Sequence, residues 1–249
     1  MDNGGLHFHY QPQFNLFTGE IRGAEALLRL KHNNKILLPA EFLDQVDNHF
    51  LSKAWPALLN QLINFINFCH SNDRPLTVAF NVTPDQLLAD FFLPYVDEAL
   101  SKLACNAKFL EVELTEKVAA ADHFTLLQRL GELKERGLSV VIDDFGAGYA
   151  NLRYLSDLPI DGVKIDRHFI KGINTPVNEE ILRFVIKVAK LTNFFVLAEG
   201  VEMSCEADKV KALGCDFVQG FYHGKPCSAA EFSKFFIANM RHQAAVSCA

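Results

Sequence analysis

The sequence predicts an α/β fold, a single (β/α)8-type, TIM-like barrel that takes up residues 1–249 as one domain. Short apolar segments alternate with helical segments at a spacing of roughly 25–35 residues, the size of one βα unit. About six such units follow an initial hairpin, which gives eight strands in 249 residues, and this length suits a closed barrel. A doubly wound open sheet is the alternative, but no GxGxxG turn follows any strand.

The N-terminal part of the chain begins with the hairpin. Apolar residues alternate from His7 to Leu16, Thr18-Gly19 supplies a turn, and a second strand covers Ile21 to Leu30. A helical region begins at Pro39. A longer helix is predicted over about Leu51 to Cys69, because leucines and isoleucines recur there on one stripe.

Strands and helices then alternate to the C-terminus. The predicted strands are 76–82, 109–114, 138–142, 162–165, 194–198 and 216–218. The predicted helices begin at Pro84 or cover 122–136, 149–157, 178–191, 204–213 and 228–240. Gly137 and Gly214 end two of these helices, since glycine adopts the left-handed conformation of a helix C-terminus. The residues of 178–191 expected to face the core are Ile181, Val185, Val188 and Ala189.

Composition restricts the class of protein. A net charge of −6 and a pI near 5.8 argue against binding of duplex nucleic acid through a basic face. The six cysteines form no CxxC pair, so we expect reduced thiols in a cytoplasmic protein or in the cytoplasmic portion of a larger one. No apolar run reaches the roughly 18 residues of a membrane span. The first residues do not form a signal peptide, and we expect a domain excised from a longer chain.

The stretch 140–149 carries the strongest local signal. An apolar strand ends in Asp143 and Asp144, and a turn with Gly146 and Gly148 follows. Two neighbouring carboxylates at a strand end repel each other unless a cation lies between them. Alternatively, an aspartate caps the next helix and the glycines only turn the chain. This stretch alone does not decide between the two interpretations.

Polar residues end most of the other strands as well. In a barrel these ends converge on one mouth, where active sites lie. The residues at the predicted strand ends are Glu25, Asn81, Glu113, Asp143, Asp144, Lys164, Asp166, Glu199 and Gln219. Each alone has an ordinary explanation as a cap or a solvated group, but together they bring an excess of acids that requires cations. Carboxylate and amide oxygens favour Mg²⁺ or Mn²⁺ over zinc, and two metals roughly 3.5–4 Å apart are usual in phosphodiester hydrolysis.

The pentapeptide Glu25-Ala26-Leu27-Leu28-Arg29 resembles the signature of the EAL domain family, the cyclic di-GMP phosphodiesterases of bacteria. The likeness spans almost the whole chain. The other motifs that carry it are Tyr10-Gln11-Pro12, Asn81-Val82-Thr83-Pro84, Glu113-Leu114-Thr115-Glu116, Asp143-Asp144-Phe145-Gly146, Val163-Lys164-Ile165-Asp166, Glu199-Gly200-Val201-Glu202 and Gln219-Gly220-Phe221. Seven motifs in the family's order are far more specific than any one of them. The resemblance implies a barrel with one antiparallel strand near the N-terminus, in agreement with the hairpin.

The resemblance also implies two divalent metal ions, Mg²⁺ or Mn²⁺. Glu25, Asn81, Glu113 and Asp143 would hold the first ion. Asp143 would bridge to the second ion, whose site Asp144 and waters would complete. Glu25 and Asp143 would therefore belong to the catalytic set.

Further roles follow from the same resemblance. Lys164 would contact the attacking water, and Glu199 would support the cluster of metals and water. The expected substrate-binding residues are Gln11, Arg29, Asp166 and Gln219, with Arg29 on a phosphate, which suits its fork of donors. Glu116 would bind no metal and would anchor the loop after Asp144, next to the interface of a homodimer.

The implied reaction is in-line attack of a metal-bound hydroxide on one phosphodiester of cyclic di-GMP, which gives linear pGpG. The resemblance further implies that a longer chain would carry a fused sensor or GGDEF-type domain. The sequence departs from the common family pattern in the loop after Asp144, at Ala147, Ala150 and Asn151. It therefore leaves open a catalytically weak or inactive domain that acts as a cyclic di-GMP receptor or a protein-interaction module.

Overall fold

A computed structural model describes residues 5–46, 48–72, 76–115, 122–145 and 157–247. The strands of this part of the chain are β1 (Leu6–Asn15), β2 (Ile21–His32), β3 (Lys35–Leu37), β4 (Thr77–Val82), β5 (Leu110–Thr115), β6 (Ser139–Phe145), β7 (Gly162–Ile165), β8 (Phe195–Ala198), β9 (Phe217–Gln219) and β10 (Cys227–Ser228). Strands β2 and β4 to β9 pair in parallel and in sequence order. Strand β1 pairs antiparallel with both β2 and β9 and so closes an eight-stranded barrel. The predicted hairpin and closed barrel are confirmed.

Helices cover the outside of the barrel. They are α1 (Pro39–Phe42), α2 (Asn48–Ser71), α3 (Pro84–Leu88), α4 (Phe92–Leu100), α5 (His123–Glu135), α6 (Arg167–Lys171), α7 (Pro176–Leu191), α8 (Ser204–Leu213) and α9 (Ala229–Ser247). The sequence patterns give no end for the helix that begins at Pro84, and the structure has two helices there, α3 and α4. They miss α6, and α9 extends beyond the predicted end at residue 240. The helix predicted over 149–157 falls almost wholly outside the described residues. Among the described residues, no helix has both the length and the hydropathy to cross a bilayer.

Helix boundaries follow from local chemistry. The side chain of Asp122 caps α5 by accepting a hydrogen bond from the backbone N–H of Thr125 at 3.0 Å. Gly137 and Gly214 follow α5 and α8 with φ of 83° and 97°, a conformation that favours glycine. Both predicted helix stops are therefore explained by backbone geometry.

The apolar core lies between the barrel wall and the helices. Tyr10 of β1 stacks on Phe65 of α2 with ring centroids 3.9 Å apart. Trp55 of the same helix contacts both Phe80 and Phe92 edge to face. These residues are buried, so β1 and β4 are anchored through their outward-facing rings, and their inward-facing positions are left for polar groups.

One predicted core position is wrong. Ile181 is exposed on α7, together with Val177 and Phe184. The buried residues of the helix are instead Leu182, Ile186 and Ala189. The helix carries apolar residues on two faces, so its hydrophobic period alone does not indicate which face meets the barrel.

Two matching ion pairs fasten the wall at the N-terminal ends of the strands. Asp161 precedes β7, accepts a hydrogen bond from the backbone N–H of Val140 in β6 at 2.8 Å, and pairs with Lys134 of α5 at 2.6 Å. In the same way, Asp216 precedes β9 and accepts from the N–H of Val196 in β8 at 2.8 Å. Its second oxygen pairs with Lys190 of α7. Each of these arrangements, called a clasp below, links two strands to one helix. Both clasps lie at the end of the barrel opposite the mouth.

Replacing Asp216 by alanine should lower the free energy of unfolding by about 1–2 kcal/mol. The substitution removes a charge-assisted hydrogen bond to a strand N–H, which is worth about 1.5–3 kcal/mol when buried, and partial exposure of the pair reduces that value. Denaturant unfolding of Asp216→Ala and of Asp208→Ala, an exposed aspartate on α8, provides the measurement and its control. Equal stability of the two variants would contradict the structural role of the clasp.

Candidate metal centre and active site

Lys164 lies at the centre of the barrel mouth, where the C-terminal ends of the parallel strands converge. Its ammonium nitrogen lies 2.9 Å from Glu113, 3.1 Å from Asp143 and 2.7 Å from Glu199. Glu25 approaches the same nitrogen at 3.6 Å. Four carboxylates from different strands therefore surround one buried cation.

Asn81 joins this cluster from β4. Its amide nitrogen lies 2.9 Å from Oε1 of Glu25 and 3.4 Å from Oε2 of Glu113. The four residues predicted to share the first metal, Glu25, Asn81, Glu113 and Asp143, thus meet at one place. Along the chain, Asn81 lies 56 residues from Glu25 and 32 residues from Glu113, so the fold brings these side chains together.

A β-bulge turns two adjacent aspartates toward the mouth. In the pairing of β6 with β7, Ile142 faces Val163 and Phe145 faces Ile165, so Asp143 and Asp144 together oppose Lys164. Asp144 has a left-handed backbone with φ of 54°, which is uncommon for a residue other than glycine. Because side chains alternate along a regular strand, the bulge is what allows both carboxylates to reach the same site.

Lys164 alone does not supply enough positive charge to keep all the acids of the mouth ionised. Burial raises the pKa of Glu113 well above its usual range and that of Glu199 to about 8. Burial and the neighbouring Asp143 raise the pKa of Asp144 to about 6. Burial also opposes the charge of Lys164, but the surrounding carboxylates raise its pKa well above the ordinary value. The lysine is therefore firmly cationic, and the acids still lack positive charge.

Two buried carboxylate oxygens accept no hydrogen bond of good geometry from the residues that the structure describes. They are Oε1 of Glu113 and Oδ1 of Asp143, and both reach Lys164 only at ion-pair distance. Buried acceptors are normally satisfied. In addition, oxygens of Asp143, Asp144 and Glu199 lie within 4.8 Å of one another. This set of hard oxygen donors fits Mg²⁺ or Mn²⁺.

Glutamine side chains complete one side of the mouth. The amide nitrogen of Gln219 donates to Oε2 of Glu25 at 2.5 Å and to Oε1 of Gln11 at 3.1 Å. Gln11 donates in turn to the carbonyl oxygen of Gly224 at 3.0 Å. Although burial opposes its ionisation, Lys164 and the hydrogen bonds from Gln219 and Asn81 lower the pKa of Glu25.

Two glycines permit the close approach of the last loops. A Cβ at Gly200, which has φ of 67°, would lie 2.4 Å from Cβ of Arg167. A Cβ at Gly220 would lie 2.0 Å from the carbonyl oxygen of Val201. The Glu-Gly and Gln-Gly pairs at 199–200 and 219–220 therefore each combine a polar side chain at the site with a backbone contact that only glycine allows.

The remaining predicted residues differ in position. Arg29 is buried, and its Nη1 donates to the carbonyl oxygen of Leu28 at 2.8 Å. Asp166 caps α6 by accepting from the backbone N–H of His168 at 2.7 Å, and it also contributes to the raised pKa of Asp144. Glu116 and the loop after Phe145 lie outside the described residues.

Comparison with known proteins identifies the family. Residues 1–226 match the family model described as EAL domain. The chain belongs to the EAL domain family. The motifs that suggest this family in the sequence are therefore confirmed as a guide to membership.

Curated relatives are about one-third identical to the chain. It is 33% identical over 244 residues to the cyclic di-GMP phosphodiesterase NbdA of Pseudomonas aeruginosa, an alignment that covers 94% of this chain and 30% of that protein. It is 32% identical over 242 residues to the signaling protein YkoW of Bacillus subtilis, with coverage of 95% and 30%. The uncharacterized protein Rv1357c of Mycobacterium tuberculosis is 33% identical over 234 residues, with coverage of 90% and 76%. The chain thus spans slightly under a third of NbdA and YkoW.

Solved EAL structures share the fold. The EAL enzyme Bd1971 in its form with cAMP and cyclic di-GMP bound has a TM-score of 0.85 at 27% identity, and the match covers 94% of this chain and 65% of that one. The PaMucR phosphodiesterase in complex with cyclic di-GMP has a TM-score of 0.82 at 29% identity, with coverage of 93% and 95%. These matches confirm the TIM-like barrel.

Three polar residues of the EAL barrel interior receive no functional role from the sequence patterns. Gln13 and Glu111 are fully or almost fully buried, and Arg22 joins them by hydrogen bonds inside the barrel. The alternation of Glu111 and Glu113 places both on one face of β5 and predicts that they point the same way. No comparable signal exists for Arg22, whose inward direction depends on an irregularity of β2.

The left-handed backbone at Asp144 predicts a contrast between two substitutions. Asp144→Val should unfold more easily than Asp144→Gly by about 1–2 kcal/mol, because a β-branched residue is strained at positive φ. Both variants lose the same carboxylate, so the difference between their denaturant midpoints isolates the backbone. Equal midpoints would show that Asp144 does not adopt this conformation.

The raised pKa values predict how pH affects the metal-free protein. A carboxyl group whose pKa is higher in the folded state stabilises the fold at low pH, and this stability is lost as pH rises through the folded value. For Glu199, with a folded pKa of about 8, the loss should extend from about pH 5 to about pH 8. Thermal melts in EDTA should show it.

The matched variant is Glu199→Gln, which keeps the shape and removes the titration. Its melting temperature should fall less over the same pH range than that of the wild-type protein. Mn²⁺ should restore more stability to the wild-type protein at pH 8 than at pH 5, since the ion replaces protons. Parallel pH profiles for the two proteins would contradict the assignment of the raised pKa.

Proposed function

We propose that this chain is a metal-dependent phosphodiesterase that hydrolyses cyclic di-GMP to linear pGpG. The observation that carries the proposal is the mouth itself, where four carboxylates surround a single lysine. Asp144 and the amide of Asn81 lie beside these acids, and two buried carboxylate oxygens have no hydrogen bond from the described residues. Membership of the EAL family supports the proposal, as does the naming of NbdA as a cyclic di-GMP phosphodiesterase.

Two divalent ions, Mg²⁺ or Mn²⁺, fit the excess of oxygen donors. Glu25, Asn81, Glu113 and Asp143 would hold one ion, and Asp143 with Asp144 would hold the other. When bound, the ions would supply Lewis acidity and charge neutralisation for attack on a phosphodiester.

The chain's own residues would then orient the reactants. Lys164, held cationic by its four neighbours, would fix a water molecule by donating a hydrogen bond and would stabilise negative charge that develops nearby. Glu199 lies 2.7 Å from that ammonium group and would keep it aimed at the mouth. Both residues sit on short, buried strand ends, which limits their motion.

Substrate contacts are assigned to the other side of the mouth. Arg29 would bind a phosphate with the donors that Leu28 leaves free, because a guanidinium fork matches phosphate oxygens. Gln11, Asp166 and Gln219 would line the cleft around the nucleotide. Glu116 remains the proposed anchor of the loop after Asp144.

A homodimer, cytoplasmic location and a fused sensor or GGDEF-type domain stay predictions. Sedimentation of the purified chain tests the first of these. The relatives NbdA and YkoW are about three times as long as the stretch they share with this chain, which supports the expectation of a longer signalling protein.

Glu25→Ala should abolish turnover, with a loss of at least about 100-fold, the upper part of the range seen when groups around a metal are removed. The assay incubates purified protein with cyclic di-GMP and Mn²⁺ or Mg²⁺ and follows linear pGpG by chromatography. Glu98→Gln, a change at an exposed ion pair with Lys102, is the control and should keep full activity.

The outcomes separate the alternatives. Metal-dependent product formation that depends on Glu25 supports the enzyme. Saturable binding of cyclic di-GMP by the wild-type chain without turnover would instead make it a receptor, and absence of binding would leave a protein-interaction module. Either of these results would overturn the proposed hydrolysis.

A further inference from the structure

A continuous chain of hydrogen bonds runs through the barrel from its floor to its mouth. At the floor, which is the end of the barrel opposite the mouth, the two terminal nitrogens of Arg22 donate to the two carboxylate oxygens of Glu111, at 3.0 and 2.6 Å. Nη1 of Arg22 also donates to Oε1 of Gln13 at 2.8 Å. The amide nitrogen of Gln13 donates to Oε1 of Gln219 at 3.0 Å, and Gln219 donates to Glu25 at the mouth.

The floor end of this chain is rigid. The pairing of β1 with β2 shifts register so that Gln13 faces Gly23 and Phe14 faces Ile21, which makes Arg22 the extra residue of a bulge. The guanidinium group lies over the rings of Phe195 and Phe217, at 4.3 and 4.7 Å from their centroids.

Glu111, the partner of this guanidinium group, is also fixed. Its side chain is 1% exposed, and Oε2 accepts a further hydrogen bond from Ser139 at 2.9 Å. The donors of Arg22 are therefore held in place by groups on several strands of the barrel.

Arg22 determines how the side-chain amides of Gln13 and Gln219 are oriented in this chain of hydrogen bonds. A guanidinium group has donors and no acceptor, so Gln13 must turn its carbonyl oxygen toward it. The NH₂ group of Gln13 then faces Gln219, which must present its own carbonyl oxygen. This arrangement leaves the NH₂ group of Gln219 directed to the mouth.

Glu25 lies at the mouth end of this chain of hydrogen bonds. One of its oxygens accepts from Gln219 at 2.5 Å and the other from Asn81 at 2.9 Å, so both are fixed as acceptors. The second N–H of Gln219 goes to Gln11. Reversal of the Gln219 amide would place its carbonyl oxygen against the carboxylate of Glu25 and repel it.

We propose that Gln13 is a positioning residue that, with Arg22, sets the direction of the Gln219 amide and thereby aims Glu25 at a divalent ion. The inference rests on the proposed function in taking Glu25 as a metal ligand. Gln13 itself is fully buried and bonds only to Arg22 and Gln219 among these groups, so it acts through Gln219 and not by contact with substrate.

The test is Gln13→Glu, which keeps the shape of the side chain. The new carboxylate still accepts from Arg22 but no longer donates to Gln219, whose carbonyl oxygen is then repelled by an anion and loses its fixed position. Mn²⁺ affinity, measured by calorimetry without substrate, should fall about tenfold or more. The added negative charge alone would strengthen cation binding, so the expected sign distinguishes positioning from electrostatics. The side-chain amide resonances of Gln219 should also shift in ¹⁵N NMR spectra.

Two further variants complete the design. Gln45→Glu, at an exposed glutamine that is not part of the chain of amides, makes the same charge change and should bind Mn²⁺ as the wild-type protein does. Gln13→Met removes both hydrogen bonds without adding charge and should also weaken binding. Wild-type affinity in either folded Gln13 variant would overturn the inference. Failure of the wild-type protein to bind Mn²⁺ would instead count against the proposed metal site.

Discussion

One buried ammonium group determines how the mouth of this barrel is built. Lys164 is 1% exposed and meets carboxylates from β2, β5, β6 and the end of β8. Four acids around one base are costly to bury, because the desolvation of each carboxylate is only partly repaid. The unsatisfied charge at the mouth is the physical reason why the site suits divalent cations.

Two bulges make this arrangement possible. A regular strand alternates its side chains between the lumen and the helices, so neither Arg22 nor the second of the two adjacent aspartates would reach the lumen from an undisturbed strand. The irregularities in β2 and β6 each add one residue and turn one more charged side chain inward. They act at opposite ends of the barrel. The bulge in β2 brings the side chain of Arg22 into the floor, and the bulge in β6 brings the carboxylate of Asp144 to the mouth.

Much of the fold and of the candidate site can be predicted from sequence because both rest on repeating patterns. Apolar strands that end in a polar residue predict the barrel, and strand direction predicts that Glu25, Asn81, Glu113 and Lys164 converge. What depends on a local irregularity or on a choice between similar faces is not predictable in this way. Arg22 illustrates the first limit, since only the bulge turns it inward.

Helices α6 and α7 illustrate the second limit. Helix α6 is five residues long, too short for a clear hydrophobic period. Helix α7 has apolar residues on two sides, and only packing against the barrel shows that Leu182 and Ile186 face inward and Ile181 outward.

The paired clasps at Asp161 and Asp216 have a consequence for protein engineering. They belong to the outer wall at the N-terminal rim, whereas the candidate metal ligands occupy the opposite rim. Selection for thermostability often erodes catalysis when both draw on the same residues. Here the residues that stabilise the fold and those of the candidate site lie at opposite ends of the barrel. Directed evolution can therefore stabilise the N-terminal rim without changing the residues of the candidate site.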